Sequence, residues 1–331
     1  MQVIIPMAGF GKRLRPQTHT RPKPLINVAG KAVLGHVLDS FAGLEISQLL
    51  CITGYLGGQI ETYVRKNYRM PSRFFVQEEL NGQSPAIYLC RDYLEGPALI
   101  VFVDTLIQAD LSKLGTETAD AVAFVKEVQD PRRFGVAELG SDGLVKRLVE
   151  KPESLLNNLA LVGFYYVRDG RDLIRAIETQ LAQGLQTKGE YYLADAFNIM
   201  IQQGARMLPR KVEVWEDCGK PETVLQTNRF LLDHGHDNGS QVRSKSCILV
   251  PPVHIDPSAR ICHAVIGPHV TIAANCHIEN AIIQDSIIDE GACVRNGLLR
   301  GSLIGRDALL TGHFHSYNVG DSSSIGHDLT D

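Results

Sequence analysis

The sequence predicts an α/β domain with a Rossmann-like, mostly parallel sheet, followed by a β-helix of the hexapeptide-repeat type. The first prediction rests on short apolar runs that alternate with helical patterns up to about residue 230, the order expected of a parallel sheet with helices on its faces. The second rests on apolar residues that recur every six positions in the C-terminal part. Because a polar, glycine-bearing stretch separates the two patterns, we place the domains at 1–233 and 247–331, with a linker at 234–246.

The elements of the first domain follow from its apolar runs and helical periodicity. The predicted strands are Val3–Pro6, Leu49–Thr53, Phe74–Gln77, Ala98–Val103, Ala121–Val125 and Val162–Val167. The predicted helices are Val33–Phe41, Ile60–Lys66, Leu173–Gln183 and Ala194–Gln203. Ligands of such sheets bind at the carboxyl ends of the strands, so polar residues that directly follow a strand are candidate site residues.

A period of six fits neither a helix nor a strand, but it fits a coil with three flat sides. The predicted inward residues are Leu249, Ile255, Ile261, Ile266, Ile272, Ile278, Ile282, Ile288, Val294, Leu298, Ile304 and Leu310. Small residues predicted to fill the corners are Ala259, Cys276, Ala292 and Ala308. Each coil should bury its aliphatic side chains on those of the next, and Val319 with Ile325 suggests a partial fifth coil.

A glycine loop with nearby cations follows the first predicted strand. Gly9 and Gly11, in the run Ala8-Gly-Phe-Gly11, allow a tight turn with exposed backbone amides, which bind anions. Two arginines and a lysine downstream add full charges for phosphate oxygens: Arg13, Arg15 and Lys23. The two glycines alone are equally typical of a structural turn.

The continuation Pro16, Thr18 and Arg21-Pro-Lys-Pro24 resembles the signature of the sugar-1-phosphate nucleotidyltransferases in residue types and spacing. Many members of that family carry another glycine and a threonine where this chain has Phe10 and Lys12. The resemblance implies that Arg13 and Lys23 are catalytic and that Ala8, Gly9 and Gly11 bind the nucleotide. The C-terminal repeat resembles left-handed β-helices, which several members carry after the catalytic domain.

Two aspartates correspond to the metal ligands of that family. Asp104 directly follows a predicted strand, and Asp217 lies in Asp-Cys-Gly-Lys-Pro221, which resembles the family's Asp-x-Gly-Thr-Pro segment. The resemblance implies that they hold Mg²⁺, a hard cation that takes its remaining ligands from water and substrate phosphates. By position alone, either residue is as well explained as a helix cap.

The sugar and base segments also have counterparts. Glu150-Lys-Pro152 matches the sugar-binding segment, and Gly135 and Gly163 lie in flanking stretches in the family's order, so we expect Gly135, Glu150, Lys151 and Gly163 to bind the sugar phosphate. Without that order, Glu150 and Lys151 would be a solvated surface pair. Gln77 and Gly82 resemble a segment that reads a pyrimidine edge, which favours dTTP or UTP; a buried Gln77 bonded to backbone is the alternative.

Composition excludes several other classes of protein. The 331 residues include 33 Lys+Arg and 37 Asp+Glu, so the basic excess of a nucleic-acid-binding protein is missing. No segment approaches the roughly 20 apolar residues of a membrane span, and no signal peptide is recognisable, so we expect a cytoplasmic protein. Seven cysteines without a CxxC pair are typical of reduced core residues.

The resemblance as a whole implies Mg²⁺-dependent transfer of a nucleotidyl group from dTTP or UTP to a sugar 1-phosphate, with glucose 1-phosphate favoured and pyrophosphate released. The protein is then expected to form homo-oligomers through its β-helix. Two alternatives stay open at this point. One is a regulatory, non-catalytic relative that binds nucleotide sugars, and the other is a bifunctional enzyme whose β-helix transfers an acyl group with His313 or His315 as base.

Overall fold

The computed structural model describes residues 1–242, 246–313, 319–320 and 322. The chain divides into two compact units, Met1–His236 and Asp237–Asp331. Residues of the predicted linker fall into both units, because Leu232–His236 continues a helix of the first unit as a π-helical turn. Asn238, by contrast, forms hydrogen bonds with the backbone of Ile255 in the second unit.

The first unit is an α/β domain. In chain order its strands are β1 (Gln2–Pro6), β2 (Asn27–Val28), β3 (Lys31–Ala32), β4 (Gln48–Thr53), β5 (Ser72–Val76), β6 (Ala98–Val101), β7 (Thr105–Gln108), β8 (Ala121–Glu127), β9 (Gly135–Leu139), β10 (Val145–Glu150), β11 (Leu159–Val167), β12 (Met207–Lys211) and β13 (Val214–Asp217). Its α-helices are α1 (Val33–Asp39), α2 (Gly57–Asn67), α3 (Gln83–Tyr88), α4 (Gly170–Ala182), α5 (Leu193–Gln202) and α6 (Pro221–Leu231). Every predicted strand and helix of this domain is therefore present.

The main sheet has the order β10-β9-β11-β6-β1-β4-β5, and β8 pairs with both β11 and β12. The strands β6, β1, β4 and β5 run parallel to one another, whereas β11 is antiparallel to its neighbours. Buried side chains of α3, α4 and α5 pack in one core cluster, and those of α1 and α2 pack in another. Helices thus cover both faces of the sheet, as the alternating pattern predicted.

The second unit is a parallel β-helix with three faces. Its strands are β14 (Cys247–Leu249), β15 (Val253–Ile255), β16 (Arg260–Cys262), β17 (Ala264–Ile266), β18 (Val270–Ile272), β19 (His277–Glu279), β20 (Ile282–Gln284), β21 (Ile287–Ile288), β22 (Cys293–Arg295), β23 (Leu298–Arg300), β24 (Leu303–Ile304) and β25 (Leu309–Thr311). Each face is a sheet of four parallel strands, β14-β17-β20-β23, β15-β18-β21-β24 and β16-β19-β22-β25. The predicted hexapeptide-repeat architecture is confirmed.

The predicted inward positions are wrong by one residue at two places on the first face. Ile266 pairs with Ile283, and Ile283 pairs with Leu299, so these residues form the inner stack. Ile282 and Leu298, predicted to point inward, are 44% and 81% exposed. The step along the chain from Ile266 to Ile283 is one residue longer than the 16-residue repeat that the prediction assumed. The predicted inward positions after it therefore fall one residue early.

The corner and terminal predictions have mixed outcomes. Cys276 and Ala292 are fully buried, whereas Ala259 and Ala308 are only partly buried. Val319 is 45% exposed, and Ile325 lies outside the described residues. All seven cysteines are free thiols, and four of them are buried. None of the described helices is long and apolar enough to cross a membrane.

Candidate active site

The glycine loop after β1 is closely packed on one side and open on the other. Gly11 has a φ of 62°, and a Cβ there would lie 3.1 Å from side-chain atoms of Thr18 and Lys23. The hydroxyl of Thr18 also donates a hydrogen bond to the Gly11 carbonyl at 2.9 Å. A Cβ on Gly9 would meet no atom within 4 Å. The loop is therefore held against the segment that carries Lys23 while its outer side stays accessible.

Lys23 and Asp104 form an ion pair at the carboxyl edge of the sheet. Lys23 Nζ donates to Asp104 Oδ2 at 2.6 Å, which joins residues 81 positions apart in the sequence. Burial alone would raise the pKa of Asp104, but the charges of Lys23 and Arg13 and the hydrogen bond from Lys23 hold it below its usual value. Asp104 is therefore ionised near neutral pH, with one carboxylate oxygen engaged by Lys23.

A two-stranded sheet brings Asp217 beside Asp104. Strand β13 pairs with β7 so that Asp217 lies opposite Thr105, and the Cys218 N–H donates to the Asp104 carbonyl at 2.8 Å. The alternative interpretation of the two aspartates as helix caps is wrong. Asp104 precedes a strand rather than a helix, and the cap of α6 is Lys220.

Gly219 lies beside both Asp217 and Arg13. A Cβ at Gly219 would lie 2.9 Å from Asp217 Oδ1 and 3.1 Å from Arg13 Nη2. A methyl group at this point would therefore require the carboxylate or the guanidinium to move. Arg13, Lys23, Asp104 and Asp217 are consequently neighbours, although they come from three distant parts of the chain.

Three of the predicted sugar-phosphate residues lie on β9, β10 and β11, and Lys151 directly follows β10. A Cβ on Gly135 would lie 2.9 Å from Glu150 Oε2, which places the Glu150 carboxylate directly over β9. Gly163 has a φ of 80° at an irregularity in the β11 pairing, and its carbonyl accepts a hydrogen bond from Phe102. Burial raises the pKa of Glu150, and the neighbouring Lys151 partly opposes that effect. Gly135 therefore leaves space beside a largely buried carboxylate, whereas a Cβ on Gly163 would meet the Phe102 side chain at 3.1 Å.

Lys151 departs from an ordinary strand conformation. Its φ is 48°, and its N–H donates to the Phe134 carbonyl at 3.0 Å. Its ammonium donates to the hydroxyl of Tyr192 at 3.0 Å and lies 3.9 Å from Glu150 Oε1. The alternative of a solvated surface pair does not describe this arrangement, because Glu150 is largely buried and Lys151 has a specific phenolic partner.

Of the predicted base-reading residues, Gln77 directly follows β5 and Gly82 caps the N-terminus of α3. The Gln77 N–H donates to the Thr53 carbonyl, and its side-chain amide donates to the Gly82 carbonyl at 3.1 Å. Ala8 is buried, and its carbonyl would lie 2.7 Å from a Cβ on Gly54. The Gln77 side chain thus makes the backbone contact that the alternative interpretation predicted, and its role in base recognition stays a prediction.

Two adjoining cavities of about 360 and 460 Å³ share Arg13, Phe102 and Asp104 in their walls, so they form one cleft at the carboxyl edge of the sheet. Of the predicted residues, the cleft is lined by Gly9, Gly11, Arg13, Lys23, Asp104, Gly135, Glu150, Gly163 and Asp217. Ala8, Gln77, Gly82 and Lys151 are not among its lining residues. The volume is within the range of ligand-binding clefts.

Several lining residues were not predicted from the sequence. They are Gln83, Phe102, Arg133, Phe134, Tyr165, Trp215, Glu216, Thr223 and Gln226. Phe134 and Trp215 pack edge to face with ring centroids 4.8 Å apart and form an apolar wall. Phe134 lies in the same family-order stretch as Gly135, and Trp215 and Glu216 directly precede Asp217, so these three belong to stretches that the resemblance already covers.

The described residues contain no group of three or more histidine, cysteine, aspartate or glutamate side chains placed to hold a metal ion. The pair Asp104 and Asp217 nevertheless fits Mg²⁺, because that ion usually binds to one or two carboxylates and takes its other ligands from water and phosphate. The donors in the cleft are carboxylates without thiols or imidazoles, which suits a hard cation.

The site combines a glycine loop open to phosphate with the cations Arg13 and Lys23 and with two neighbouring aspartates, all at the carboxyl end of a parallel sheet. These features define an enzyme that acts on a phosphorylated nucleotide. The comparison with family models agrees: residues 2–234 match the nucleotidyl transferase family, and residues 237–298 match the GlmU-like C-terminal hexapeptide model. The chain therefore belongs to the nucleotidyl transferase family, and the predicted family membership is confirmed.

Known proteins of similar sequence and structure support this assignment. Glucose-1-phosphate thymidylyltransferase from Streptomyces antibioticus is 28% identical, over 98% of this chain and 99% of that protein. The bifunctional protein GlmU from Methanocaldococcus jannaschii is 32% identical, over 70% of this chain and 55% of that protein. A UDP-glucose pyrophosphorylase crystallised with UDP-glucose superposes with a TM-score of 0.61 at 20% identity, over 70% of this chain and 98% of that one, which shows a shared fold.

Proposed function

We propose that the protein transfers a nucleotidyl group from dTTP or UTP to a sugar 1-phosphate in a Mg²⁺-dependent reaction, giving a nucleotide sugar and pyrophosphate. Glucose 1-phosphate is the favoured acceptor. The observation that carries the proposal is the single cleft in which the glycine loop, Arg13 and the Lys23–Asp104 pair meet Asp217 and Glu150.

The glycine-loop end of the cleft suits a nucleoside triphosphate. Backbone amides around Gly9 and Gly11 are available to phosphate oxygens, and Arg13 lies where it can neutralise charge on the transferred and departing phosphates. Lys23 has a fixed position because it is paired with Asp104. These groups bind and orient a polyanion without forming a covalent bond to it.

The carboxylates of Asp104 and Asp217 would hold Mg²⁺. When bound, the ion would supply positive charge to the phosphate oxygens. The ion pair with Lys23 leaves the second oxygen of Asp104 for such a role, and Gly219 leaves space beside both oxygens of Asp217.

The opposite end of the cleft suits a sugar 1-phosphate. Glu150 offers carboxylate oxygens to sugar hydroxyls beside Gly135, while Lys151, which lies next to the cleft with its ammonium 3.9 Å from Glu150 Oε1, offers that ammonium to the sugar phosphate. A phosphate oxygen of the sugar then attacks the α-phosphorus, and the bond from that phosphorus to the oxygen bridging to the β-phosphate breaks. The electron pair leaves with pyrophosphate.

The choice of substrates is supported by the names of similar proteins. Two of the relatives, from Streptomyces antibioticus and Streptomyces griseus, are glucose-1-phosphate thymidylyltransferases aligned over 98% of this chain. A Haloferax volcanii relative, 29% identical over 67% of this chain, is a UTP–glucose-1-phosphate uridylyltransferase. Both names involve a pyrimidine nucleotide and glucose 1-phosphate, in agreement with the interpretation of Gln77.

The proposal is tested by measuring pyrophosphate release with glucose 1-phosphate and each of dTTP, UTP, CTP, ATP and GTP, with Mg²⁺ and with EDTA. We expect release with dTTP or UTP that needs Mg²⁺ and is lost in Asp217→Asn. The matched control is Asp92→Asn, an exposed aspartate outside the cleft, which should retain full activity. Release with a purine nucleotide alone would contradict the role of Gln77, and no release with any nucleotide would favour the regulatory alternative.

We further propose that the chain forms homo-oligomers through its β-helix. The outward column of the first face stacks four aliphatic side chains, Ile248, Val265, Ile282 and Leu298. Exposed aliphatic patches commonly mark association surfaces. Leu298→Asp should lower the mass measured by light scattering, whereas Thr311→Asp, on the third face, should not. An unchanged mass in Leu298→Asp would contradict assembly through this face.

A further inference from the structure

The position of the Lys151 ammonium is determined mainly by a tyrosine from a distant segment. The ammonium donates to Tyr192 Oη at 3.0 Å and lies 5.3 Å from the centroid of the same ring, whereas the nearest oxygen of Glu150 is 3.9 Å away. The hydrogen bond with Tyr192 is the main reason that the pKa of Lys151 is raised. With its backbone fixed by Phe134, Lys151 therefore has both ends of its side chain held.

Tyr192 is in turn immobilised by buried polar groups. Its carbonyl accepts hydrogen bonds from Ser84 Oγ at 3.2 Å and from Gln180 Nε2 at 3.0 Å. Ser84 and Gln180 are completely buried, and Tyr192 is 7% exposed. Buried hydrogen bonds of this kind are costly to break, so the phenol is a fixed point against which Lys151 is placed.

Residues 191–193 are tied to residues 81–84, and we call this pair of segments the clasp. Two successive amides, those of Gln83 and Ser84, donate to the Tyr191 carbonyl at 2.9 and 3.1 Å. The Tyr191 amide donates to the Asn81 carbonyl, and the Leu193 amide donates to Gln83 Oε1 at 3.1 Å. The two segments are more than 100 residues apart in the sequence, yet they contact through at least four hydrogen bonds.

The clasp reaches the proposed base-reading residue. Gly82 has a φ of 134°, and a Cβ there would lie 2.4 Å from the Tyr191 carbonyl oxygen, so only glycine fits at this point. The carbonyl of the same Gly82 accepts the hydrogen bond from the Gln77 side chain. A continuous series of contacts therefore runs from Gln77 through the clasp and Tyr192 to Lys151.

We propose that Tyr192 is a positioning residue that places Lys151 for the sugar phosphate and, through the clasp, couples sugar-phosphate binding to nucleotide binding. The proposal rests on the proposed function, because it takes Lys151 as the group that meets the sugar phosphate. Because Tyr192 is held rigidly on the clasp, a nucleotide that moves Gln77 and Gly82 also moves Tyr192, and with it Lys151, into the position that meets the sugar phosphate. By linkage, the sugar phosphate must raise the affinity for the nucleotide by the same factor.

The first test is Tyr192→Phe, which removes only the hydroxyl. We expect KM for glucose 1-phosphate to rise about tenfold, while the Kd of the nucleotide measured without glucose 1-phosphate and the thermal midpoint stay unchanged. The matched control is Tyr88→Phe, which removes a hydroxyl bonded to Glu178 on the surface of the same unit and should change neither constant. An equal rise in KM for glucose 1-phosphate and in the Kd of the nucleotide alone, or no rise in either, would overturn the positioning role.

A double-mutant cycle separates an action through Lys151 from a general effect. In a Lys151→Met background, Tyr192→Phe should have no further effect on the affinity for glucose 1-phosphate, because the partner of the hydroxyl is gone. Additive losses in the double variant would contradict the proposal.

Calorimetry tests the coupling without relying on turnover. We expect wild-type protein to bind glucose 1-phosphate about tenfold more tightly in the presence of an α,β-methylene analogue of the nucleotide, and we expect Tyr192→Phe to abolish that gain. Binding and coupling without turnover would contradict the proposed function alone. Turnover with equal affinity in the presence and absence of the analogue would contradict the inference alone, and no binding of glucose 1-phosphate would overturn both.

Discussion

The cleft and the β-helix are stabilised in opposite ways. In the β-helix, aliphatic side chains such as Ile266, Ile283 and Leu299 stack on their equivalents in the next coil. The cleft instead concentrates charges, with Lys23 against Asp104 and a largely buried Glu150 among the lining residues. Burying charge is costly, whereas burying aliphatic surface stabilises the fold. Substitutions in the cleft should therefore change turnover more than stability, and substitutions in the stack should do the reverse.

The largest expected effect is the loss of catalysis in Asp104→Asn. The amide cannot replace a negative metal ligand or the partner of Lys23, so we expect kcat to fall by at least about 10³-fold. Lys23 keeps its charge but remains in a partly solvated cleft, so the midpoint of thermal unfolding should change little. It can be followed by the fluorescence of Trp215, the single tryptophan of the chain. A variant that unfolds at the temperature of the assay would contradict the contrast between the two regions.

The matched pair Ile283→Ala and Ile282→Ala tests the stack. Ile283 is fully buried, so its truncation should destabilise the β-helix by about 2–5 kcal/mol. Ile282 is the adjacent residue and points outward, so its truncation should cost less than about 1 kcal/mol. Scanning calorimetry of both variants measures the difference. Equal destabilisation would contradict the pairing register of β20.

Acid should weaken the first unit through His36. Burial is the main cause that lowers the pKa of His36 to about 4, and its ring lies 4.9 Å from that of His236. Lys31 lowers the pKa further, whereas Asp39 and the Val28 carbonyl raise it. In the unfolded chain the His36 side chain takes up a proton near pH 6.5, whereas in the folded chain it does so only near pH 4. The stability of the folded state therefore falls as the pH drops between these two values. Within this pH range we expect the free energy of unfolding to fall by up to about 1.4 kcal/mol per pH unit.

The measurement is a set of urea titrations of Trp215 fluorescence between pH 7 and pH 4.5. His36→Gln keeps a donor for the Val28 carbonyl but does not titrate, so its stability should depend less steeply on pH. Identical slopes for this variant and the wild type would show that His36 does not contribute.

The smallest expected effect comes from Gly219→Ala. The added methyl group would have to displace the Asp217 carboxylate or the Arg13 guanidinium, so we expect kcat to fall about tenfold with an unchanged unfolding midpoint. Gly58→Ala is the control, because a Cβ at that position in α2 meets no atom within 4 Å. Full activity in Gly219→Ala would mean that the spacing of the two charged groups is not critical.

The two regions also differ in how far the sequence predicts them. The β-helix follows from spacing alone, and the two misplaced residues lie where both neighbours are aliphatic, as in Ile282-Ile283 and Leu298-Leu299. Hydrophobic periodicity cannot choose between such neighbours when the length of a coil changes by one residue. Only the backbone pairing fixes which of them points inward.

The cleft could be predicted only where chemistry or family resemblance marked a residue. Asp104, Asp217 and Glu150 were found in this way and line one cleft. Tyr192 carries no such signal, because its role depends on a contact with Lys151 that no local pattern encodes. Trp215 and Arg133 lie within two residues of Asp217 and Gly135, but it is strand pairing and the fold of the chain that bring their side chains to the cleft.

The most direct test of the account is whether pyrophosphate release needs both substrates at once. Purified protein should be incubated with Mg²⁺ and the active nucleotide, with and without glucose 1-phosphate, while pyrophosphate and nucleotide sugar are measured together. Direct attack within one cleft predicts equal amounts of the two products and no release without the sugar phosphate. Pyrophosphate released from the nucleotide alone would contradict direct transfer between two substrates bound in the same cleft.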